Sequence, residues 1–363
     1  TLIRSCTHGE GGHFEAHGRF MSGNPGLKPG TFESTHPQMG AIIGRSLKSK
    51  TRGLPAAVGM GLVIYNSMYG EYLPGIGEGY WSSSWRLPIV SKQGLPHSVL
   101  NVPRERLDDR AGLLHQFDRI RREVDGRRVM ESMDEFNRTA IEILTADKAR
   151  KAFDLSEEDP RLVAAYGDEW GQNALVARRL VEAGVSFVTV ELNGPTPGRP
   201  APPGTHYNWD THSVNSNHFK DSRWKYPDYD QCVAALVEDI YARGLDKKVM
   251  VVVTGEFGRT PYVEYEKPGR PGRGHHCNAM SILVSGGGMR MGQIVGATDP
   301  KADHPIDRPL APTDLWATVY KHLGIDTEHC FIDPVGRPMA ILPAASCCLV
   351  WLGYALTAGP FER

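Results

Sequence analysis

The apolar positions of the chain follow two different periods. Apolar residues recur at helical spacing in 172–183, 228–243 and 312–323, and a glycine follows each of these segments. Short apolar runs at 1–3, 185–192, 249–253 and 281–284 predict strands, and the run 249–253 is typical of a strand buried on both faces. Helices alternating with such strands indicate βαβ units. The pattern therefore predicts an α/β fold with a doubly wound, mostly parallel sheet flanked by helices.

Two regions depart from this alternation. Glycine and proline punctuate residues 1–100, which predicts a loop-rich N-terminal part with short strands. Within 104–150, two runs of apolar residues at helical spacing predict a helical hairpin insertion with charged outer faces. We expect a single domain over 1–342 that includes this insertion, followed by a divergent apolar tail at 343–363.

Composition narrows the class of protein. The 363 residues carry 41 Lys and Arg against 42 Asp and Glu, a balance that does not favour nucleic acid as a partner. The six cysteines form no Cys-x-x-Cys pair, so a zinc ribbon is not expected. The uncharged stretch after residue 338 is interrupted by Pro343 and Pro360, and it is too short between them for the roughly 20 residues of a membrane helix. No signal peptide is visible at the start of the sequence, and no membrane span is expected.

Chemistry-bearing side chains follow the predicted strands. Ligands of open α/β sheets bind beyond the carboxyl ends of the strands. The candidates found there are Thr7 after the first strand, Asp210 and His212 in the loop after 185–192, Glu256 and Arg259 after 249–253, and His275 before 281–284. Imidazoles together with carboxylates are the ligands that divalent transition metals prefer. The sequence therefore predicts a metal site at one edge of the sheet.

The local sequence around three of these candidates bears on their interpretation. Asp210 and His212 are two residues apart and would face the same way in an extended segment. Glu256 lies in a glycine-flanked turn, where a carboxylate needs either a cation or hydrogen bonds, and a structural ion pair with Arg259 explains it equally well.

The histidines near the start of the chain are a separate group. His8, His13 and His17 follow the first strand, and ordinary loop packing or solvation is the favoured interpretation of all three. The glycine run 286–288 indicates a tight turn rather than a phosphate-binding loop.

Several long motifs resemble a known family. They are Trp209–His212, Gly255–Pro261, Gly272–His275, Ser285–Gly288, Gly292–Asp299 and Asp314–Thr318. Together, over roughly residues 1–342, they resemble the bacterial sulfatase-like family called domain of unknown function 1501. That family is similar to the alkaline phosphatase superfamily, whose members act on phosphate and sulfate esters at one or two metal ions. The resemblance implies an alkaline-phosphatase-like fold.

The resemblance also assigns roles to residues. It implies that Asp210 and His212 bind the first metal, that His275 is the later histidine ligand, and that Glu256 takes the place of an aspartate. The implied cofactor is a divalent metal, Zn, Mn or Ca. Phe257 stands where a further histidine ligand is usual, the Cys-x-Pro-x-Arg motif of sulfatases is missing, and the strand with which the family normally begins is not in this chain.

The function expected from these residues is metal-dependent hydrolysis of a sulfate or phosphate ester. Thr7 is the best-placed hydroxyl nucleophile, with direct attack by a water molecule as an equal alternative. Arg259 or Arg273 would bind the anionic oxygens through a bidentate fork. The expected substrate is an anionic ester such as a sulfated or phosphorylated glycan, and the resemblance implies an exported or periplasmic protein. The alternative is a catalytically degenerate protein that binds an anion, glycan or protein partner without turnover.

Overall fold

A computed structural model describes residues 1–28, 34–51, 54–60, 64–66, 70–72, 77–82, 85–92, 151–192, 201–206 and 209–343. The predicted helical insertion at 104–150 lies outside the described residues, as does the tail predicted at 343–363 apart from its first residue. Within the described ranges, no helix is both long and apolar enough to cross a membrane.

The described residues form six α-helices. They are α1 (His13–Ser22), α2 (Met39–Ser46), α3 (Pro160–Tyr166), α4 (Glu169–Ala183), α5 (His218–Ala242) and α6 (Pro312–His322), and a 3-10 helix (Leu155–Glu157) precedes α3. The predictions of α4 and α6 are confirmed. Helices α1 and α2 lie in the part predicted to be loop-rich, so that prediction is wrong there.

Helix α5 begins well before the predicted start at residue 228. Its N-cap is Asn217, whose side-chain oxygen accepts hydrogen bonds of 3.1 Å from the N–H groups of Phe219 and Lys220. Pro227, which directly precedes the predicted start, lies inside the helix. This early start places the beginning of α5 directly after the loop that carries Asp210 and His212.

The strands are short. They are β1 (Leu2–Cys6), β2 (Ala57–Met60), β3 (Ile64–Asn66), β4 (Gly70–Tyr72), β5 (Ile89–Val90), β6 (Phe187–Val190), β7 (Met250–Val253), β8 (Gly258–Arg259), β9 (Glu264–Lys267), β10 (Arg270–Gly272), β11 (His275–His276), β12 (Met280–Gly286), β13 (Ile294–Val295), β14 (Ala297–Thr298), β15 (Pro305–Asp307), β16 (Cys330–Ile332) and β17 (Pro338–Ala340). The four strands predicted at 1–3, 185–192, 249–253 and 281–284 correspond to β1, β6, β7 and β12.

The expected doubly wound, mostly parallel sheet is not found, so the alkaline-phosphatase-like architecture is wrong for the described residues. The largest sheet has four strands in the order β13–β1–β12–β7, in which only the pair β13–β1 is parallel. A separate three-stranded sheet, β5–β2–β6, is parallel. The remaining sheets are antiparallel strand pairs. The fold is thus a mixed α/β arrangement of several small sheets.

The connection between β7 and β12 explains this error. A parallel pair needs a long crossover, usually a helix. Residues 254–279 contain no helix and form the antiparallel pairs β9–β10 and β8–β11 instead. Strand β12 therefore returns antiparallel to β7, with Val252 opposite Val284. An apolar run does not specify strand direction, and β7 is half-buried rather than buried on both faces.

The main core fixes the N-terminal strand and the helix that follows it. Ile3 of β1, Phe20 of α1, Ile282 of β12 and Tyr320 of α6 are each about 1% exposed and belong to one apolar cluster. Beyond β1, the His8 N–H donates to the carbonyl of Cys277 at 3.3 Å. The loop that leads from β1 into α1 is therefore held beside β11.

Helix α4 and strand β6 meet at Gly184. This glycine adopts a left-handed φ of 115° and ends the helix, after which the chain turns directly into β6. The helix and the strand consequently run in opposite directions, and the start of α4 lies at the carboxyl end of β6. Trp209 also lies at the carboxyl end of β6. Its indole N–H donates to the carbonyl of Leu192, and its ring stacks on Trp170 with centroids 5.4 Å apart.

Candidate metal centre

Asp210 is the centre of the candidate site. The residue is 7% exposed, and five nitrogen atoms of other described residues lie beside its carboxylate. Oδ1 lies 2.8 Å from Arg259 Nη1 and 3.1 Å from His275 Nε2, and Oδ2 lies 2.6 Å from Asn215 Nδ2, 2.9 Å from His212 Nε2 and 3.3 Å from His13 Nε2. A carboxylate offers about four lone-pair sites. Five nitrogens therefore crowd it more closely than ordinary hydrogen bonding requires.

These side chains come from four separate elements. His13 is the first residue of α1, Arg259 belongs to β8 and His275 to β11. Strands β8 and β11 pair so that His275 lies opposite Arg259, which sets both side chains beside Asp210. Asp210 itself lies in the loop between β6 and α5. The cluster therefore forms only when segments far apart in the sequence pack together.

The ring of His275 is oriented by the backbone. Its Nδ1 lies 2.7 Å from the carbonyl oxygen of Gly11, which can only accept, so Nδ1 carries the proton. In the neutral ring, Nε2 then presents a lone pair to the carboxylate of Asp210 at 3.1 Å. Two lone pairs at this distance repel each other unless a proton or a metal cation satisfies both.

The ring of His13 is held between two carboxylates. Its Nδ1 lies 2.7 Å from Glu256 Oε1, and its Nε2 lies 3.3 Å from Asp210 Oδ2. Burial lowers the pKa of His13, but hydrogen bonds to Asp210 and Glu256 and their negative charges outweigh burial and raise it to about 9. In the absence of a metal, His13 is therefore a cation at neutral pH.

The three groups fit a metal ion in donor type and spacing. The ligand atoms of His13, Asp210 and His275 all lie within 4.8 Å of one another. Two ligands about 2.1 Å from a tetrahedral zinc ion would be about 3.4 Å apart, close to the 3.1 and 3.3 Å between Asp210 and the two imidazoles. In metal sites, ligating histidines usually donate their second N–H to a carboxylate or a backbone carbonyl. Glu256 and Gly11 supply such acceptors here.

The same cluster keeps Asp210 ionised. Burial alone raises the pKa of Asp210, but the hydrogen bond from protonated His13, together with the guanidinium of Arg259, holds it far below the usual range. Glu256 behaves similarly, because its hydrogen bond with His13 outweighs burial and lowers its pKa. Both carboxylates are therefore anionic across the neutral range.

His212 contacts Asp210 from another direction. Its Nε2 lies 2.9 Å from Asp210 Oδ2, and its Nδ1 lies 3.6 Å from Glu266 Oε2. Gly272 closes this loop tightly, because a Cβ added there would stand 2.1 Å from the backbone nitrogen of Ser213. The loop from Asp210 to Ser213 is thus packed directly against β10.

In the structure, Glu256 and Arg259 each contact other residues rather than forming an ion pair with each other. Glu256 contacts His13, whereas Arg259 contacts Asp210 and also donates to the backbone carbonyls of Trp209 at 2.9 Å and Arg273 at 3.3 Å. The side chain of Arg273 donates to the carbonyls of Thr260 and Arg259, so it supports the backbone of β8.

Thr7 has a different environment from the cluster. Its hydroxyl donates to the carbonyl of Cys277 at 3.2 Å. The next residue, His8, donates from Nε2 to the backbone carbonyl of Glu256 at 2.6 Å. His17 is buried in α1, and burial lowers its pKa to about 4. Of the early histidines, His13 alone belongs to the triad.

The sequence analysis does not predict His13 as a metal ligand. It favours loop packing or solvation for His13, as for His8 and His17. The available signal was the spacing of Ala16, Phe20 and Met21, which marks an amphipathic helix that begins at His13.

Comparison with known proteins adds a family but no activity. The family model described as "Protein of unknown function (DUF1501)" matches residues 1–346. The chain therefore belongs to this family of proteins of unknown function. No curated protein and no solved structure matches the chain.

Proposed function

We propose that this protein is a metal-dependent hydrolase of sulfate or phosphate esters. The observation that carries the proposal is the triad of His13, Asp210 and His275, whose imidazoles are oriented by Glu256 and Gly11 and which lies directly beside the guanidinium of Arg259. A divalent metal held by these three residues would polarise an ester oxygen and lower the pKa of an adjacent nucleophile. The motif resemblance to the alkaline phosphatase superfamily supports the same chemistry, although the fold does not.

The donor set favours some metals over others. Two imidazole nitrogens and one carboxylate suit Zn²⁺ or Mn²⁺, whereas Ca²⁺ prefers a shell of six to eight oxygens. Neutral imidazoles are also required for binding, so a proton on His13 competes with the metal. We therefore expect Zn²⁺ or Mn²⁺ rather than Ca²⁺.

Arg259 is the residue that would bind the anionic part of the substrate. A guanidinium has five N–H donors, and within the described chain Arg259 directs three of them to Asp210, Trp209 and Arg273. These contacts hold the guanidinium in one orientation and leave donors for the oxygens of a sulfate or phosphate group. Arg–oxyanion pairs of this kind are strong and directional.

His212 is suited to moving a proton. It adjoins Asp210 through Nε2 and turns Nδ1 toward Glu266, whose side chain is 51% exposed. A water molecule that attacks the ester must lose a proton, and the leaving oxygen must gain one. Because the hydroxyl of Thr7 is engaged with the carbonyl of Cys277, attack by water is the route we propose. A sulfated or phosphorylated glycan, met outside the cytoplasm, is the substrate that the motif resemblance suggests.

The test is metal content followed by ester hydrolysis. The wild type and Asp210→Asn are purified and measured by elemental analysis, then assayed with p-nitrophenyl sulfate and p-nitrophenyl phosphate. Asp303→Asn is the matched control, because Asp303 has Oδ1 3.9 Å from Nε2 of His276 but lies outside the triad. We expect stoichiometric metal and hydrolysis in the wild type and the control, and neither in Asp210→Asn. Equal metal content in Asp210→Asn would contradict the proposal.

The alternative function, binding without turnover, predicts a different outcome of the same experiment. Metal that is bound by the wild type, lost in Asp210→Asn and accompanied by no hydrolysis of either ester would favour a protein that binds an anion, glycan or protein partner. Arg259 and protonated His13 neutralise the negative charge of Asp210 without a metal, and this observation favours the second function.

A further inference from the structure

A cavity lies outside the metal centre. It has a volume of about 480 Å³ and lies where helices α3, α4 and α5 meet. This volume falls within the range of about 300–1,000 Å³ that is usual for small-molecule sites. Its lining includes Tyr166, Asp168, Trp170, Gln172 and Gln231. The lining therefore combines aromatic rings with planar polar groups that donate or accept hydrogen bonds.

Three carboxylates line the cavity, those of Asp168, Glu169 and Asp228. Glu169 lines it and forms an ion pair with Lys92, which also donates to Gln172. Asp168 lies at the N-terminus of α4, where the helix dipole favours a negative charge. Its carboxylate accepts no hydrogen bond from the first N–H groups of the helix. The lining thus offers carboxylate oxygens as acceptors for the hydroxyl groups of a neutral ligand.

Trp170 supplies an independent indication of a ligand. It is 4% exposed, lines the cavity and has an indole N–H without a hydrogen-bond acceptor in the part of the chain that the structure describes. Buried N–H groups are normally paired, and one that is not requires an explanation. A ligand hydroxyl in the cavity would provide the acceptor.

The cavity is linked to the metal centre through stacked rings. Trp170 stacks on Trp209, whose centroid lies 5.4 Å away, and Trp209 is followed in the chain by Asp210. The start of α4 and Asp210 also lie at the same end of β6. The stacked pair Trp170 and Trp209 therefore connects the lining of the cavity to the residue that precedes Asp210.

We infer that this cavity binds an uncharged sugar residue. A sugar ring presents hydroxyl groups at its rim and C–H groups on its faces, which match the amide, carboxylate and aromatic lining. As a subsite for an esterified glycan, this inference rests on the proposed function: the sugar residue occupies the cavity while the anionic ester lies at Arg259.

The test uses the full chain in EDTA, so that it depends neither on metal nor on hydrolysis. Lactose, cellobiose and N,N′-diacetylchitobiose are titrated by calorimetry into the wild type, Trp170→Phe and Asp168→Ala. Trp170→Phe keeps an aromatic ring against Trp209 and removes the N–H together with part of the ring, so the fold is expected to persist. Trp81→Phe is the matched control, since Trp81 is also buried and its indole N–H has no acceptor among the described residues, but it lies outside the cavity.

We expect at least one disaccharide to bind the wild type and Trp81→Phe equally. Loss of one hydrogen bond should weaken this binding about tenfold in Trp170→Phe and in Asp168→Ala. Binding of none of the three sugars, or undiminished binding by both cavity variants, would overturn the inference. Binding of spermidine in their place would assign the cavity to a cation and overturn it as well. Sugar binding in EDTA, combined with no hydrolysis of either p-nitrophenyl ester by the metal-loaded wild type, would uphold the cavity and refute the proposed hydrolase.

Discussion

The affinity of the triad for metal should depend steeply on pH between 7 and 9. His13 must lose a proton before its Nε2 can bind a metal, and its two carboxylate neighbours raise its pKa to about 9. With that pKa, the neutral fraction of His13 grows from about 1% at pH 7 to about 50% at pH 9. The apparent association constant for Zn²⁺ should therefore rise about 50-fold over this range.

Glu256 provides the variant that isolates this effect. Glu256→Gln removes the negative charge 2.7 Å from His13 Nδ1, so the pKa of His13 should fall toward its ordinary value and the slope between pH 7 and 9 should flatten. Because an amide orients the ring less well, affinity at pH 9 should also fall by about 10–100-fold. Glu266→Gln is the matched control, since Glu266 lies near His212 rather than His13.

The assay is Zn²⁺ competition with a chelator of known affinity at each pH, combined with calorimetry in buffers of different ionisation enthalpy to count released protons. We expect about one proton per metal at pH 7 in the wild type and in Glu266→Gln. An affinity that stays flat between pH 7 and 9, or a slope that survives in Glu256→Gln, would refute the assignment of His13 as a ligand with Glu256 behind it.

The same pKa has the opposite consequence for the stability of the metal-free protein. The pKa of His13 in the folded state, about 9, exceeds its unfolded value, so protonated His13 stabilises the fold fully below about pH 6.5. This contribution is lost as the pH rises through about 9. Because the side chain is 39% exposed, solvent screening reduces the expected loss to about 1–2 kcal/mol. Urea denaturation in EDTA at pH 6 and pH 9 measures the difference.

Two further predictions concern the framework. Arg178 is 1% exposed and lies 3.1 Å from Glu158 and 2.8 Å from Asp239, so Arg178→Leu should destabilise the fold by about 3–5 kcal/mol in urea denaturation. An unchanged midpoint would show that this buried ion pair contributes nothing. Gly272→Ala should cost about 1–3 kcal/mol and weaken metal binding, because its Cβ would stand 2.1 Å from the nitrogen of Ser213. Retention of wild-type affinity in a folded Gly272→Ala protein would contradict this reasoning.

Much of the candidate site could be predicted because it follows strand ends. Apolar runs marked the positions of β6 and β7, and the polar residues beyond them are Asp210, His212 and Arg259. The structure brings these residues together with His275. Local patterns were sufficient here because each residue lies within a few positions of a recognisable strand or glycine turn.

What could not be predicted depended on contacts across the chain. The spacing of apolar residues indicates the short helix that begins at His13, but it does not show that the start of this helix packs beside Asp210. The antiparallel return of β12 was equally hidden, because an apolar run has no direction. The start of α5 lies upstream of the predicted residue 228, because Asn217 caps the helix and Pro227 is accommodated inside it.

The position of β1 inside the four-stranded sheet has a consequence for biosynthesis. The amino group of Thr1 donates to the carbonyl of Val284 across a sequence separation of 283 residues, and Leu2 pairs with both Leu283 and Ile294. Closing so large a loop is slow and entropically costly. The ribosome makes β1 long before it makes β12 and β13. During this time, the apolar side chain of Ile3 lacks the residues against which it packs in the folded protein. Chaperone binding to this segment during translation would be favoured until residues beyond 294 have emerged.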